Sequence, residues 1–417
     1  MANCFFSSIK TKVFLSGMMF AVLAVGGLFM SAPSLSWAAD SSLSAGHILQ
    51  YYAQWEKSGH ANQATANYIL DDRARKNPSD RTCLACHTGQ GYIEYVSKKF
   101  MSPTGPEDKG YWPAVPEKGT AQSQTCSTCH KVEALQSAKA GDPVLRYEGD
   151  VPETPGGFAV KGAERGAMCI TCHNSRRGLH NDTTRPKMSD RAPHETAQSD
   201  VLLGENFFFV KTGTPGGHAA LPGLCVNCHM HVSAASKKLS TADHTFHASF
   251  DDCKTCHDPK NPMTGPKLKE TVKAKRDSLQ KKIEAALTAF VQAGMGKGNI
   301  RMVNRAKNPE EKNYTTFTKG SVGNGALAYD HGRQALKIKI DNEETLVQLA
   351  QVEGGGIALP DSAEGQVILR AGWNLFMLDH DHSYGAHNPK LVTDALDATL
   401  KKMDATNFKV ITALPKK

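Results

Sequence analysis

Five copies of the pentapeptide Cys-x-x-Cys-His constrain the fold of this chain more than any other feature. The copies are CLACH, CSTCH, CITCH, CVNCH and CKTCH, and they begin at residues 83, 126, 169, 225 and 253. They use ten of the eleven cysteines, and the eleventh, Cys4, lies near the N-terminus ahead of an apolar run. A fold for this chain must therefore keep each pair of thiols close to the histidine that follows it.

The spacing of these motifs indicates covalent attachment of haem c. Two thiols one helical turn apart can each add to a vinyl group of a haem, while the adjacent imidazole turns back to bind the iron. We therefore predict five covalently bound haems. The predicted attachment residues are Cys83, Cys86, Cys126, Cys129, Cys169, Cys172, Cys225, Cys228, Cys253 and Cys256. The predicted proximal iron ligands are His87, His130, His173, His229 and His257.

Other uses of paired cysteines fit this pattern less well. A disulfide framework does not demand a histidine after every second cysteine. Structural zinc sites normally combine two Cys-x-x-Cys units, and five is an odd number. The formal net charge of +8 does not indicate a nucleic-acid partner, because the two propionates of each haem would balance most of it.

Residues 1–38 have the pattern of a secretory signal peptide. Two lysines precede an apolar run over residues 13–30, and Ser36 and Ala38 provide small residues for cleavage after Ala38. A retained membrane anchor is the alternative, but the run is short for a span. We expect export to the periplasm or the outer cell surface, with no integral membrane segment after cleavage.

Composition divides the rest of the chain into two predicted domains. Residues 39–260 hold all five motifs, separated by Gly- and Pro-rich segments that predict loops. Residues 261–417 contain no cysteine and show helical periodicity over 266–293, with lysines on the other face. We predict a mainly α fold with extensive loops, in which a pentahaem cytochrome c domain is followed by a C-terminal helical unit.

The predicted C-terminal unit consists of a long helix, a helical hairpin and a minor β component. The long helix is expected to end near Gly294 and Gly296, and QALKIKIDNEE alternates like a short strand. The hairpin is expected from one helix over residues 364–378 and a second that begins at Pro389.

The residue that occupies the sixth iron position decides between an electron carrier and an enzyme. Twelve of the 17 histidines lie outside the motifs, so counting alone leaves the choice open. His60 lies ahead of the first motif, close enough to fold over that haem. His218 and His244 precede a motif by seven and nine residues, a short tether that favours a neighbouring haem. His231 either reaches another haem or is an ordinary surface histidine.

Five segments carry a resemblance to a known family. SGHANQA, RAPHETAQSDVLLG, HAALPGLCVNCHMH, DHTFHASFDDCKTCH and AGWNLFMLDHDHSYGAHNP occur in this order. The chain resembles the secreted multihaem c-type cytochromes of anaerobic respiring bacteria. The last segment also resembles the C-terminal helices of the superfamily that includes cytochrome c nitrite reductase and the octahaem cytochromes. The resemblance implies that the distal iron ligands are His60, His194, His218, His244 and His387.

The chain departs from the family pattern at two places. The family often has two adjacent histidines where this chain has Pro193-His194-Glu195, which makes His180 and His231 the alternative ligands there. The nitrite reductases carry a lysine-ligated haem in a Cys-x-x-Cys-Lys motif, whereas all five motifs here end in histidine. We therefore do not expect the catalytic haem of those enzymes.

Bis-histidine ligation leaves no open iron position, so we expect an electron-transfer protein of anaerobic respiration with no catalytic residue. Its expected partners are other redox proteins: cytochromes, quinol-linked donors or terminal acceptors. One alternative is a reductase of a small nitrogen or sulfur oxyanion, with Arg176, Arg177 and His180 as proton donors near one open haem. Another is a conductive filament built by self-association. His380 and His382 are expected to be solvated turn residues, or proton donors in the reductase.

Replacing both cysteines of the last motif, Cys253→Ser with Cys256→Ser, is expected to remove one fifth of the covalently bound haem. Without thiols to form thioether bonds, that haem would be extracted by acidified solvent. Haem that stays with the polypeptide is measured by the pyridine haemochrome absorbance per chain. A matched change at Cys4, which lies in the predicted signal peptide, should leave the haem content unchanged.

Overall fold

The fold is mainly helical, with long loops and few strands. The computed structural model describes residues 45–101, 103, 110–134, 144–176, 193–231, 242–258, 260, 265–295, 300–303, 314–317, 326–330, 333–340, 343–348 and 362–408. The predicted signal peptide lies outside the described residues, as do Arg177 and His180. The predicted mainly α class is confirmed, whereas the predicted domain boundary after residue 260 stays a prediction.

Short helices carry the motif region. They are α1 Ala45–Trp55, α2 Gln63–Asn67, α3 Leu84–His87, α4 Gly89–Ser97, α5 Cys126–Cys129, α6 Ala167–Ile170, α7 Gln198–Leu203 and α8 Val226–His229. Between them lie single turns of 3-10 helix, among them Gly59–Ala61, Gly217–Ala220 and Asp252–Thr255, and a π-helical segment at Tyr68–Ala74.

Each motif folds as about one helical turn. The backbone N–H of the motif histidine donates to the carbonyl of the first motif cysteine at 2.8 to 2.9 Å in the second to fifth motifs. In the first motif the histidine ends α3. One turn of helix places the two cysteines on the same side, which is the arrangement that the spacing predicts.

Three longer helices form the C-terminal core: α9 Gly265–Met295, α10 Ala363–Asp381 and α11 Pro389–Asp404. The long helix and the hairpin are confirmed, although α9 continues through Gly294. The apolar stripe of α9, including Leu279 and Ile283, is buried in one cluster with Trp373 of α10 and Leu396 of α11. This packing uses the predicted apolar face, because residues three and four apart share one side of a helix.

Basic residues of α9 pair with acidic residues of the hairpin. Arg276 donates two hydrogen bonds of 2.7 Å to Asp379, and Lys275 lies 2.7 Å from Asp397. These ion pairs join α9 to α10 and to α11 at the edge of the apolar contact.

The chain between α9 and α10 contains two small antiparallel sheets. One pairs β1 Ile300–Val303 with β2 Tyr314–Phe317, and the other has the order β3 Ala326–Asp330, β4 Arg333–Ile340 and β5 Glu343–Gln348. The predicted strand in QALKIKIDNEE is confirmed as β4. The other four strands were not predicted.

The hairpin helix α10 is anchored to the segment after α7. Trp373 Nε1 donates to the carbonyl of Asn206 at 2.8 Å. The side-chain amide of Asn374 exchanges two 2.9 Å hydrogen bonds with the backbone of Phe208. At the end of the helix, Gln198 Nε2 donates to the carbonyl of His380 at 3.0 Å. These bonds hold the C-terminal end of α10 against the motif region.

A tight loop joins α10 to α11. His382 follows the last residue of α10 in the left-handed conformation, with a φ of 58°, and the side chain of Asn388 caps α11 by accepting from Leu391 N–H at 3.2 Å. Gly385 has a φ of 91°, and a Cβ atom there would lie 3.1 Å from Val272 of α9. The loop therefore lies directly on α9, so that both its ends and its middle are fixed.

Across the described ranges, no helix has both the length and the apolarity that a bilayer crossing needs.

Truncation of the α9 core should destabilise the protein. Leu279 is fully buried, so Leu279→Ala is expected to lower the free energy of unfolding by about 2–5 kcal/mol, because it leaves a cavity between α9 and the hairpin. The matched control is Leu49→Ala in α1, where the side chain is 68% exposed. Chemical denaturation followed by circular dichroism compares the two, and equal effects would contradict this packing.

Candidate functional site

Five pairs of imidazole rings lie close together, tilted or edge-on, and each pair joins one motif histidine to one of the five histidines that the resemblance implied. We number the pairs by motif: site 1 is His87 with His194, site 2 is His130 with His244, site 3 is His173 with His60, site 4 is His229 with His387, and site 5 is His257 with His218. The ring centroids are 6.0, 6.2, 6.1, 6.2 and 5.8 Å apart, in that order.

These distances fit a metal ion held between two imidazoles. A ring nitrogen lies about 1.1 Å from the ring centroid and a metal–imidazole bond is about 2.0 Å long, so two axial imidazoles have centroids about 6.2 Å apart. Each site offers two protein ligands, which leaves the equatorial positions to a macrocycle. A haem joined to the adjacent cysteines would supply those positions.

Hydrogen bonds orient several of the paired rings. Nδ1 of His229 contacts the carbonyl of Phe246 at 3.0 Å, and Nδ1 of His218 contacts the carbonyl of Ala386 at 2.8 Å. Further Nδ1 contacts are His173 with Gln198 Oε1 at 3.2 Å, His194 with Thr196 Oγ1 at 3.0 Å, His244 with the carbonyl of Ala242 at 3.4 Å, and His387 with Asp381 Oδ1 at 2.5 Å. A metal-bound histidine typically donates its other N–H in this way, which leaves Nε2 for the metal.

Burial holds several paired histidines in the neutral form that binds metals. Burial, assisted by the nearby His173, lowers the pKa of His60 to about 4. Burial and then the charge of Arg176 lower the pKa of His87 to about 4. Burial likewise lowers the pKa of His244. An imidazole must be neutral to donate its lone pair to iron, so these environments favour ligation at neutral pH.

His387 differs from the other paired histidines. Burial lowers its pKa, but the charge of Asp381 and the hydrogen bond to it outweigh burial and raise the pKa overall. The carboxylate of Asp381 therefore stabilises the protonated form of His387 relative to the other paired histidines whose pKa burial lowers.

The motif cysteines lie on the helical turns beside these rings. The motif cysteines from Cys83 to Cys253 form no disulfide bond. Burial, followed by the charges of Cys169 and Cys126, raises the pKa of Cys129 to about 12. Paired thiols that form no disulfide fit thioether attachment better than a disulfide framework.

Unsatisfied donors beside the first motif also fit a haem. Within the described residues, Arg81 Nε and Tyr111 Oη are buried without a hydrogen-bond partner. Arg81 precedes Cys83 by two residues, and Tyr111 packs in the cluster that contains Cys86. A buried donor without a partner costs free energy, and a haem propionate could accept from both.

The expectation that His60 covers the first motif was wrong. Its ring faces His173 of the third motif and contacts Phe246 edge-on at 4.5 Å. The carbonyl of His60 accepts from Gln124 N–H at 3.1 Å, and Gln124 Nε2 donates to the carbonyl of Cys86 at 2.6 Å, so the Gly59–Ala61 turn is held near the first and second motifs while the ring of His60 lies beside that of His173. Proximity in sequence did not decide the pairing, because the turn is held by contacts with distant segments.

The expectation that His380 is solvated was also wrong. Its side chain is buried, and Nδ1 lies 3.0 Å from the carbonyl of Pro193, next to the site 1 residue His194. His382 is exposed, as expected for a turn residue. His231 lies 3.5 Å from Asp252 and is 41% exposed, beside acidic side chains rather than a motif histidine.

Thiol contacts place site 3 next to two other sites. Cys86 Sγ lies 4.0 Å from the carbonyl of Thr171 in the third motif, and the thiols of Cys86 and Cys172 are neighbours, so the first motif adjoins the third. The thiols of Cys169 and Cys225 are neighbours, and Cys225 packs against the cluster that contains Ile170, so the third motif adjoins the fourth. His229 and His387 are close enough to His173 to lower its pKa, after burial, which is the largest cause.

Two further contacts join sites 2 and 5 to this group. The ring of Phe246 lies 4.5 Å from that of His60 and 6.0 Å from that of His244, so it lies beside sites 3 and 2. Ala386, whose carbonyl holds His218 of site 5, precedes His387 of site 4. Sites 1, 2 and 4 therefore each adjoin site 3, and site 5 adjoins site 4.

Sequence reasoning missed the residues that orient the rings. Gln198, Phe246 and Asp381 carry no motif of their own, and their contacts cross between segments. Only Asp381 could have been suspected from the sequence, because it lies in the same histidine-rich stretch as His387.

The comparisons with known proteins give only a distant likeness. A scan against protein-family models found no match, and a search of curated proteins found none either. Among solved structures, the chain is similar to the crystal structure of the outer cell wall cytochrome OcwA, with a TM-score of 0.40 and 16% sequence identity. The similarity covers 85% of this chain and 50% of the other, so the chain spans half the length of that cytochrome.

The pairing at site 2 predicts different effects for two nearby histidines. His244→Ala should convert one haem from low-spin to high-spin, because His244 faces His130. His247→Ala is the matched control, since His247 is exposed in the same loop. Electron paramagnetic resonance (EPR) of the oxidised proteins distinguishes the two spin states. A high-spin signal in the control, or none in His244→Ala, would contradict the assignment.

Proposed function

We propose that this chain is an electron-transfer cytochrome with five covalently attached haems, each held between the two histidines of one site. The observation that carries the proposal is the pairing itself. Five motif histidines face five different histidines, at centroid distances of 5.8 to 6.2 Å that suit an intervening iron.

The roles of the chain's residues follow from this proposal. Bound haem supplies a one-electron Fe(III)/Fe(II) couple. The cysteines hold the porphyrins, and two histidines at each iron leave no position for a substrate. Partial burial of residues such as His60 and His87 limits the access of water. Bis-histidine ligation without methionine favours low potentials, which suit anaerobic respiration.

The contacts between sites support a branched path for electrons. Site 3 would exchange electrons with sites 1, 2 and 4, since its thiols and rings adjoin theirs. Site 5 would exchange with site 4 through the segment that carries Ala386 and His387. Sites 1, 2 and 5 are then the ends at which external redox proteins would donate or accept electrons.

The proposal includes an extracytoplasmic location, since thioether attachment of haem and the predicted signal peptide both belong to exported proteins. The proposed partners are cytochromes, quinol-linked donors or terminal acceptors, and self-association into a filament is the variant of the same function. A reductase with an open haem is the alternative that the next experiment distinguishes.

The oxidised protein is expected to give only low-spin EPR signals, unchanged by cyanide, nitrite or hydroxylamine, because no iron position is open. A high-spin signal that responds to these ligands in the unaltered protein would favour the reductase.

Removing the distal histidine of site 4 should open one position. His387→Ala is expected to give one high-spin haem that binds cyanide, with no loss of covalently bound haem, because the cysteines of the fourth motif remain. The control is His382→Asn in the same loop, since asparagine tolerates the left-handed backbone of His382. An unchanged EPR spectrum of His387→Ala would remove His387 from the ligand set.

A further inference from the structure

The carboxylate of Asp381 contacts a paired histidine from a buried position. Asp381 is the last residue of α10, and its side chain is 1% exposed. Its Oδ1 lies 2.5 Å from Nδ1 of His387. Its Oδ2 accepts from the backbone N–H of Ser383 at 3.3 Å and from the Ser383 hydroxyl. Both carboxylate oxygens are thereby satisfied, and the group is held at the ring of His387.

The acceptors at several other sites are neutral groups. Nδ1 of His229 and of His218 each contact a backbone carbonyl, and Nδ1 of His173 contacts the amide oxygen of Gln198. A carboxylate is a stronger acceptor than any of these, and a hydrogen bond to a charged group is shorter and about twice as strong as a neutral one. Site 4 therefore has a different electrostatic environment at its distal ring.

We propose that Asp381 is a positioning residue that lowers the potential of the haem at site 4, making it the last of the five to accept an electron; this rests on the proposed function. A carboxylate that accepts from Nδ1 draws the proton towards itself and leaves more negative charge on the ring. A more basic ring stabilises Fe(III) over Fe(II). The Nδ1 proton stays in the hydrogen bond, so reduction adds one electron and no proton.

Burial strengthens the electrostatic effect of Asp381 on His387, and the other carboxylate near the end of α10 lacks such an effect. Little water separates Asp381 from His387, so their interaction is screened less than one at the surface. The nearest comparable carboxylate on the same helix, Asp379, is ion-paired with Arg276 at 2.7 Å and is 29% exposed. Its charge is neutralised by that partner, and its oxygens bond to Arg276 rather than to an imidazole.

A low haem potential at site 4 would affect electron transfer between the other sites. Site 4 lies between site 3 and site 5, because His387 adjoins both His173 and the segment that holds His218. Electrons entering at site 5 would have to pass through the least easily reduced haem to reach the other sites. Asp381 would thus slow the exchange of electrons between site 5 and sites 1, 2 and 3.

The test is a potentiometric titration of the holoprotein with an electrode as reductant, followed by visible and EPR spectra. Asp381→Asn should shift the last reduction step to higher potential and leave the other four unchanged, with all five haems retained and low-spin. Asp379→Asn is the matched control, with the same chemical change on the same helix, and should leave all five steps in place. An unshifted last step in Asp381→Asn, or an equal shift in Asp379→Asn, overturns the inference.

A second variant decides the question if Asp381→Asn fails to fold. Ser383→Ala removes a hydroxyl that donates to the carboxylate and accepts from His387 N–H at 3.3 Å; with one competing donor gone and the haem at site 4 still low-spin, the last step should shift to lower potential, opposite to Asp381→Asn. No shift, or a shift in the other direction, contradicts the role of Asp381. Failure of the proposed function itself would be seen separately, as high-spin or missing haems in the unaltered protein.

Discussion

The approach of two imidazoles to about 6 Å is the constraint on which the rest of this structure depends. Each motif provides one ring on a single helical turn, but the opposing ring comes from another segment, so every site joins two parts of the chain. The described apolar clusters around the motifs are small and separate. A domain with such clusters gains much of its stability from the groups it binds, because ligands that bind only the folded state stabilise it.

The C-terminal helices are stabilised by apolar packing, and they support the histidine sites by fixing a loop. Their apolar cluster is the largest of the described clusters and is built around residues such as Trp373, Leu279 and Ile283. This packing fixes the loop between α10 and α11, which provides His387 to site 4 and the carbonyl of Ala386 to site 5. The bundle thus acts as a rigid support, since a ligand on a loop is positioned only as well as the elements that hold the loop.

The sequence predicted those helices and strands whose formation depends on residues within the element itself. The apolar spacing of α9, the proline at the start of α11 and the alternation in β4 each depend on residues within one element. The single-turn geometry of the motifs follows in the same way from the i to i−4 hydrogen bond. The other four strands were missed, because pairing between strands depends on neighbours that periodicity within one strand does not specify.

The sequence by itself determined which cysteines and motif histidines form units, and its resemblance to a family implied which five histidines oppose them. Only the tertiary structure decided the partners: His60 faces the third motif rather than the first, and His380 is buried beside Pro193 rather than solvated. It also decided that a carboxylate rather than a carbonyl faces the ring at site 4. The physical reason is that ring pairing and ring orientation depend on contacts between distant segments, whereas sequence spacing specifies only what lies within a few turns of backbone.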